Sequence, residues 1–351
     1  MRTALPPPGP AMRVEINGSQ PKPHNPNPTT QTPKLGLLNP QLIRARLHFR
    51  GVRCYIEPDV IAAPPVSHHA QTGSMNSPSS SRLLPRPFYD DWPGTEREAA
   101  QALWHWHSAL SHPQPVGGDG LPGSTDRFFD EEVDRARHGE PLRLIRESVS
   151  DAAYAVCDAY GLDRGNLAAQ VRAAQRLEGA VRFETAADVK EFIASWVFPH
   201  ARLLAGLHGY GYSWATQKVD ELARGFFHLA RLAGLPQDLA DDRLFIPLEE
   251  LERAGVSIRN LREGAVDEAT RRLLWKQSVR VRDALGQGQP LLRELSFLHR
   301  MHAKRWWHAA LELLNEIERR DYDVWEEPVR LSKWRRAQVL VQTLFGKASA
   351  R

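Results

Sequence analysis

Cysteine is nearly absent from this 351-residue chain: only Cys54 and Cys157 occur, far apart and in unlike surroundings. That excludes a disulfide framework, offers no metal-ligand spacing and favours a reducing compartment. No uninterrupted apolar run approaches the roughly 20 residues that a membrane-crossing helix needs. The first residues also lack the charged start, apolar core and small-residue cleavage site of a secretory signal, so a cytoplasmic location is expected. β-Branched alternation is scarce, which argues against sheets. There is no G-x-S-x-G turn and no phosphate-cradling P-loop. Gly209-Tyr210-Gly211 lacks the third glycine of a dinucleotide loop, so Tyr210 and Tyr212 read as loop residues.

Net charge is +4, yet its distribution speaks against nucleic acid. Residues 1–88 hold ten Lys or Arg against three acids, Glu15, Glu57 and Asp59, so the remainder is slightly acidic. The basic excess belongs to the N-terminal stretch and makes no electrostatic footprint for DNA.

Proline divides the chain. Of 26 prolines, 17 lie in the first 93 residues, with Pro6-Pro7-Pro8 and Ser79-Ser80-Ser81 among the biased runs. Residues 1–87 therefore read as a disordered Pro/Ser-rich segment, with weak alternation at 42–55 and an alternative start at Met75. Residues 88–351 read as one helical domain. Apolar residues recur at helical spacing over 96–110, 127–138, 141–160, 167–178, 186–207, 216–234, 248–254, 267–286, 290–320 and 331–345. Thr185 suits an N-cap, and His208-Gly209 a helix stop. The fold class is all-α.

Histidine offers little as a metal ligand. His105 and His107 are two apart and face different sides of a helix. His299 and His302 share a face, but no H-E-x-x-H pattern completes them, and they read as surface histidines.

Two strings stand out: QDLADDRLFIPLEELERAGV at 237–256 and IERRDYDVWEEPVRLSKWR at 317–335. As composition they are charged helix ends. As strings, the first resembles the D-x-x-x-G-R-x-Y-L-P-x-E-x-L-x-x-x-G-V stretch of squalene and phytoene synthases. The second is similar to that family's E-R-x-G-Y-D-V ending, and Arg182-Phe183-Glu184-Thr185 resembles the start of one of its helices. The resemblance covers roughly 88–345 and strengthens after Arg182.

The resemblance implies a single helical bundle of the isoprenoid synthase type, condensing two prenyl diphosphates head-to-head. Mg²⁺ ions held by facing aspartate-rich helices would neutralise the diphosphates. It leaves NADPH use open. By the resemblance, Asp90 and Asp91 stand for the first aspartate motif and Asp238 for the last acid of the second, so Asp91 and Asp238 carry the catalytic expectation. A gapless match puts Gly234, Ala230 and Phe227 where the family's other metal-side residues belong. The alternative match, using Asp238, Asp241 and Asp242, deletes four residues and sets Pro236 inside the metal helix. Asp241, Asp242 and Glu221 are compensating ligand candidates. Arg243 and Phe245 match residues beside the diphosphates, and Tyr322 and Arg335 residues near the cavity mouth. Phe226, Phe227 and Trp196 are candidate tunnel walls. The competing expectations are an inactive member kept as a scaffold or assembly factor, and a lipid-binding protein peripheral to the inner face of the membrane. The last rests on Lys304-Arg305-Trp306-Trp307, Lys333-Trp334-Arg335-Arg336 and apolar 339–345.

Overall fold

The computed structural model describes residues 84–112, 124–210 and 213–346. Among them lie fourteen α-helices: α1 (Arg86–Asp90), α2 (Arg97–Leu110), α3 (Ser124–His138), α4 (Glu147–Tyr160), α5 (Gly165–Ala174), α6 (Ala186–Gly206), α7 (Ser213–Ala233), α8 (Leu235–Ala240), α9 (Leu248–Ala254), α10 (Ile258–Arg262), α11 (Glu268–Gly288), α12 (Leu291–Glu294), α13 (Phe297–Arg319) and α14 (Lys333–Phe345). The all-α class is what the chain adopts. Outside the helices, one isolated parallel bridge joins Val181 to Arg243 among the described residues. Met75 and the alternation at 42–55 lie outside the described residues. Leu84 is already buried and α1 begins at Arg86, so helical structure starts ahead of residue 88.

Local chemistry sets the boundaries. Thr185 caps α6 in a reciprocal capping box: its hydroxyl accepts from the Asp188 N–H, and its own N–H donates to the Asp188 carboxylate at 2.8 Å. Asp267 and Ser332 cap α11 and α14 through their side-chain oxygens. Where helices were expected to be longer, a competing partner cuts them short. Helix α4 begins at Glu147 rather than 141 because the buried Glu132 carboxylate accepts the N–H groups of Arg143 at 2.7 Å and Leu144 at 3.3 Å. The expected helix over 290–320 is interrupted at Leu295 and Ser296, whose backbones are extended (ψ 146° and 159°).

The core is the interior of the bundle, dominated by α6, α7, α11 and α13. Helices α7 and α11 approach through glycine. A Cβ on Gly288 would lie 2.6 Å from the Leu222 backbone nitrogen, and one on Gly225 2.8 Å from the Leu285 side chain. Neither position has room for a side chain.

Candidate functional site

Asp238 sits on α8, and α8 is not a continuation of α7. The α7 helix ends at Ala233, Gly234 serves as the N-cap of α8, and Pro236 occupies its first turn. Proline is tolerated there because first-turn N–H groups have no helical partner to lose. Asp238 is 1% exposed. Both of its carboxylate oxygens accept from Arg231 Nη1, at 3.0 and 3.2 Å. Arg231 reaches back across the break from α7, and its guanidinium lies 5.6 Å from the Phe227 ring and 5.2 Å from the Phe245 ring. Burial lowers the Arg231 pKa, and the neighbouring Asp238 opposes that shift. Two aromatic faces and one carboxylate thus solvate a cation inside the bundle.

The segment carrying Arg243 and Phe245 is strapped to residues 181–184. Val181 N–H donates to Asp242 O, Leu244 N–H to Val181 O, and Leu248 N–H to Phe183 O, at 3.0, 3.0 and 2.8 Å. Asp242 has a left-handed backbone (φ 55°), and Arg182 and Arg262 both hold its carboxylate. Arg243 donates to the Ser111 carbonyl at 3.2 Å and lies 3.4 Å from His112 Nδ1. Phe245 packs against Phe183, Phe192 and Phe227 with ring centroids 5.6–6.0 Å apart.

The end of the bundle at Asp238 therefore faces the C-terminus of α2, at Ser111 and His112. Asp90 and Asp91 are not brought there. They precede α2, whose 14 residues set about 21 Å between the two ends. Asp91 pairs with Arg305 on α13, while Asp90 accepts from Gln101 at 2.9 Å and pairs with Arg86. Asp241 accepts from Gln237 at 3.0 Å, and Glu221 pairs with Arg224 on its own helix. Tyr322 hydrogen-bonds Ser278 on α11, and Arg335 on α14 turns to Gln338 at 3.0 Å and Glu312 at 3.5 Å. These two belong to the α11–α13–α14 side rather than to the Asp238 cluster.

A second feature is an apolar cavity of about 100 Å³ between α1, α6, α7, α12 and α13. Phe226 lines it, with Phe88, Trp92, His208, His299 and His302. Phe227, the next residue, points instead to Arg231, and Trp196 stacks on His107 in the closed core at 4.3 Å. The expectation of surface histidines fails here. His302 is half-buried and hydrogen-bonded to the Phe88 carbonyl at 2.9 Å, and burial pulls its pKa down to about 4.

The comparison with known families decides the fold's lineage: the squalene/phytoene synthase model matches residues 91–335, well over half the chain. This chain belongs to the squalene/phytoene synthase family. It is similar to the 15-cis-phytoene synthase of Synechococcus elongatus, at 30% identity over 115 residues, a match spanning 30% of this chain and 36% of that relative. The fold resembles the squalene synthase HpnC from Alicyclobacillus acidocaldarius, with TM-score 0.54, 17% identity, and 70% and 88% of the two chains covered. It also resembles a dehydrosqualene synthase solved with a ligand, with TM-score 0.58, 13% identity, and 74% and 89% coverage.

Family members of the head-to-head type are expected to use Mg²⁺, and the donor set here does not fit a cluster of such ions. Mg²⁺ requires several hard oxygen ligands in near-octahedral array. Asp238 already spends both oxygens on Arg231, Gly234 and Ala230 carry no side-chain oxygen, and Ser111 and His112 terminate the facing helix. Sequence reasoning placed Asp238, Arg243 and Phe245 but missed Arg231. The missed signal was Gly234-Leu235-Pro236, a helix stop and restart that brings residue 231 beside residue 238.

Proposed function

We propose that this member of the squalene/phytoene synthase family binds an isoprenoid ligand of the prenyl diphosphate class without condensing two of them. The observation that carries the reading is the buried Arg231–Asp238 pair at 3.0 Å. Ionisation of a prenyl diphosphate needs its leaving group neutralised, and metal ions supply that charge only where carboxylates are free to hold them. Here the protein carries its own cation at the only aspartate that the second motif retains, and that carboxylate is already neutralised. The apolar cavity beside Phe226 supports the isoprenoid half of the proposal, since its dry, apolar lining suits part of a hydrocarbon chain.

A prenyltransferase is the second reading. Family membership favours it, as does the retention of Arg243 and Phe245 beside Asp238. One assay separates the two: incubation with farnesyl or geranylgeranyl diphosphate and Mg²⁺. The expected result is no C30 or C40 hydrocarbon and no pyrophosphate release, with a ligand-induced rise in melting temperature that persists in EDTA. Mg²⁺-dependent pyrophosphate release together with a C30 or C40 hydrocarbon from the unaltered protein would sink the binding reading and establish the enzyme.

A lipid ligand also has to be collected, and α14 offers a surface for it. Val339 and Thr343 face inward, while Trp334, Leu340, Val341, Leu344 and Phe345 are exposed, Phe345 by 83%. Lys333, Arg335 and Arg336 precede this apolar stripe. Peripheral contact with an anionic bilayer follows from that pairing of charge and hydrocarbon.

A further inference from the structure

At the rim of the apolar cavity, far from Asp238, three segments meet. Glu96 closes the loop that enters α2, His208 lies in the turn leaving α6, and His299 is in the first turn of α13. Each offers one ligand atom, and these atoms all lie within 4.8 Å of one another. The two imidazole rings are 3.4 Å apart, centroid to centroid. The Nε2 atoms of His208 and His299 are both buried and have no hydrogen-bond partner among the described residues. Leaving two such polar atoms unsatisfied costs on the order of 1–3 kcal/mol each, which makes the arrangement expensive without a ligand.

The surroundings are built around these donors. Ser296, the N-cap of α13, places its hydroxyl 2.7 Å from His299 Nδ1. With the hydroxyl accepting, the ring proton sits on Nδ1 and the Nε2 lone pair is left for a metal, the arrangement that outer partners of metal-binding histidines provide. The Trp92 ring stacks on His208 at 5.2 Å and 10°, fixing the second ring. Gly94 has φ +83°, the left-handed region that favours glycine, and the Glu96 carboxylate lies against it, within 2.5 Å of where a Cβ would stand. Tyr210 ties the α6 turn to the start of α13: its hydroxyl donates to the Glu294 carbonyl at 3.3 Å and accepts from the Ser296 N–H at 3.0 Å. His302 is not part of the set, because its Nε2 bonds the Phe88 carbonyl.

We propose that Glu96, His208 and His299 form a zinc-class divalent metal site with one open coordination position. Two imidazoles and a carboxylate are a borderline donor set, suited to Zn²⁺, Co²⁺ or Ni²⁺ and not to Mg²⁺. Three protein ligands leave a fourth tetrahedral position for water or for a polar group on whatever occupies the cavity. The site is independent of the isoprenoid reading and joins α2, α6 and α13 at the open side of the cavity.

The test uses the full chain, stripped with chelator and titrated with Co²⁺, then Zn²⁺. One equivalent of Co²⁺ is expected to give visible d–d bands of tetrahedral or five-coordinate intensity, displaced by Zn²⁺ and not by millimolar Mg²⁺. His208→Gln with His299→Gln, shown folded by circular dichroism, is expected to lose the bands. Ser296→Ala is expected to weaken binding by about 10-fold, through the second ring nitrogen alone. X-ray absorption of the zinc-loaded unaltered protein provides a readout that needs no variant: two imidazoles and otherwise oxygen in the first shell. An absence of stoichiometric binding overturns the proposal. So does a sulfur-containing shell, or binding that survives in the double histidine variant, as uptake by His68 and His69 would.

Discussion

Arg231 changes the meaning of the aspartate opposite it. In the sequence, Asp238 is the one acid that a gapless match leaves in the second motif; in the folded chain it is half of a buried pair. Breaking such a pair strands a charge, so Arg231→Ala or Asp238→Asn is expected to lower stability by about 3–5 kcal/mol. Replacing both residues, Arg231→Met with Asp238→Leu, removes the stranded charge and is expected to recover most of that loss. Urea unfolding of the three variants checks both statements, and equal destabilisation in the single and double variants would contradict them. What was legible at this scale was residue identity within a motif: Asp238, Arg243 and Phe245 do lie together. What was illegible was everything decided by long-range partners. Asp91 looked like a metal ligand because it sits in a D-D pair, and only the fold shows Arg305 beside it. Glu96, His208 and His299 come from three separate segments, and no local pattern joins them.

Helices were readable where periodicity and caps agree, and α2, α6, α9 and α14 begin or end within two residues of their expected bounds. Breaks were harder to see, because they depend on a partner elsewhere. Glu132 takes the backbone donors of 143–144, and no reading of that segment alone would reveal it. The α7–α11 contact was equally hidden: Gly225 and Gly288 look like weak points in helical runs, yet they allow two backbones to meet. Gly288→Ala would push a methyl into the Leu222 backbone at 2.6 Å. Overpacking of this kind typically costs about 1–3 kcal/mol. The usual gain in helix propensity from replacing glycine, about 1 kcal/mol, does not offset it. A melting temperature at or above that of the unaltered protein would show that the two helices can part without cost.

For the whole molecule, no described helix is long and apolar enough to cross a membrane. The family resemblance supplied the architecture in advance, because the strings at 237–256 and 317–335 match the family in order and spacing even where single side chains differ. The proposed association with a bilayer rests on α14, whose outward stripe joins Trp334, Val341 and Phe345 at seven- and four-residue steps. Co-sedimentation with liposomes containing anionic lipid is expected, decreasing as salt rises and falling at least several-fold in Trp334→Ser with Phe345→Ser. Equal recovery with neutral and anionic vesicles, or no effect of the double change, would remove this surface from the account.

The break at Gly234 has a further consequence, for any attempt to install a second aspartate on this stretch of the chain. A side chain at position 234 would begin 2.9 Å from the Ala230 carbonyl oxygen, so an aspartate cannot be installed without moving the backbone. Straightening the backbone would in turn place Pro236 inside a helix and pull Arg231 from its carboxylate. Each such single change is therefore expected to yield a less stable protein.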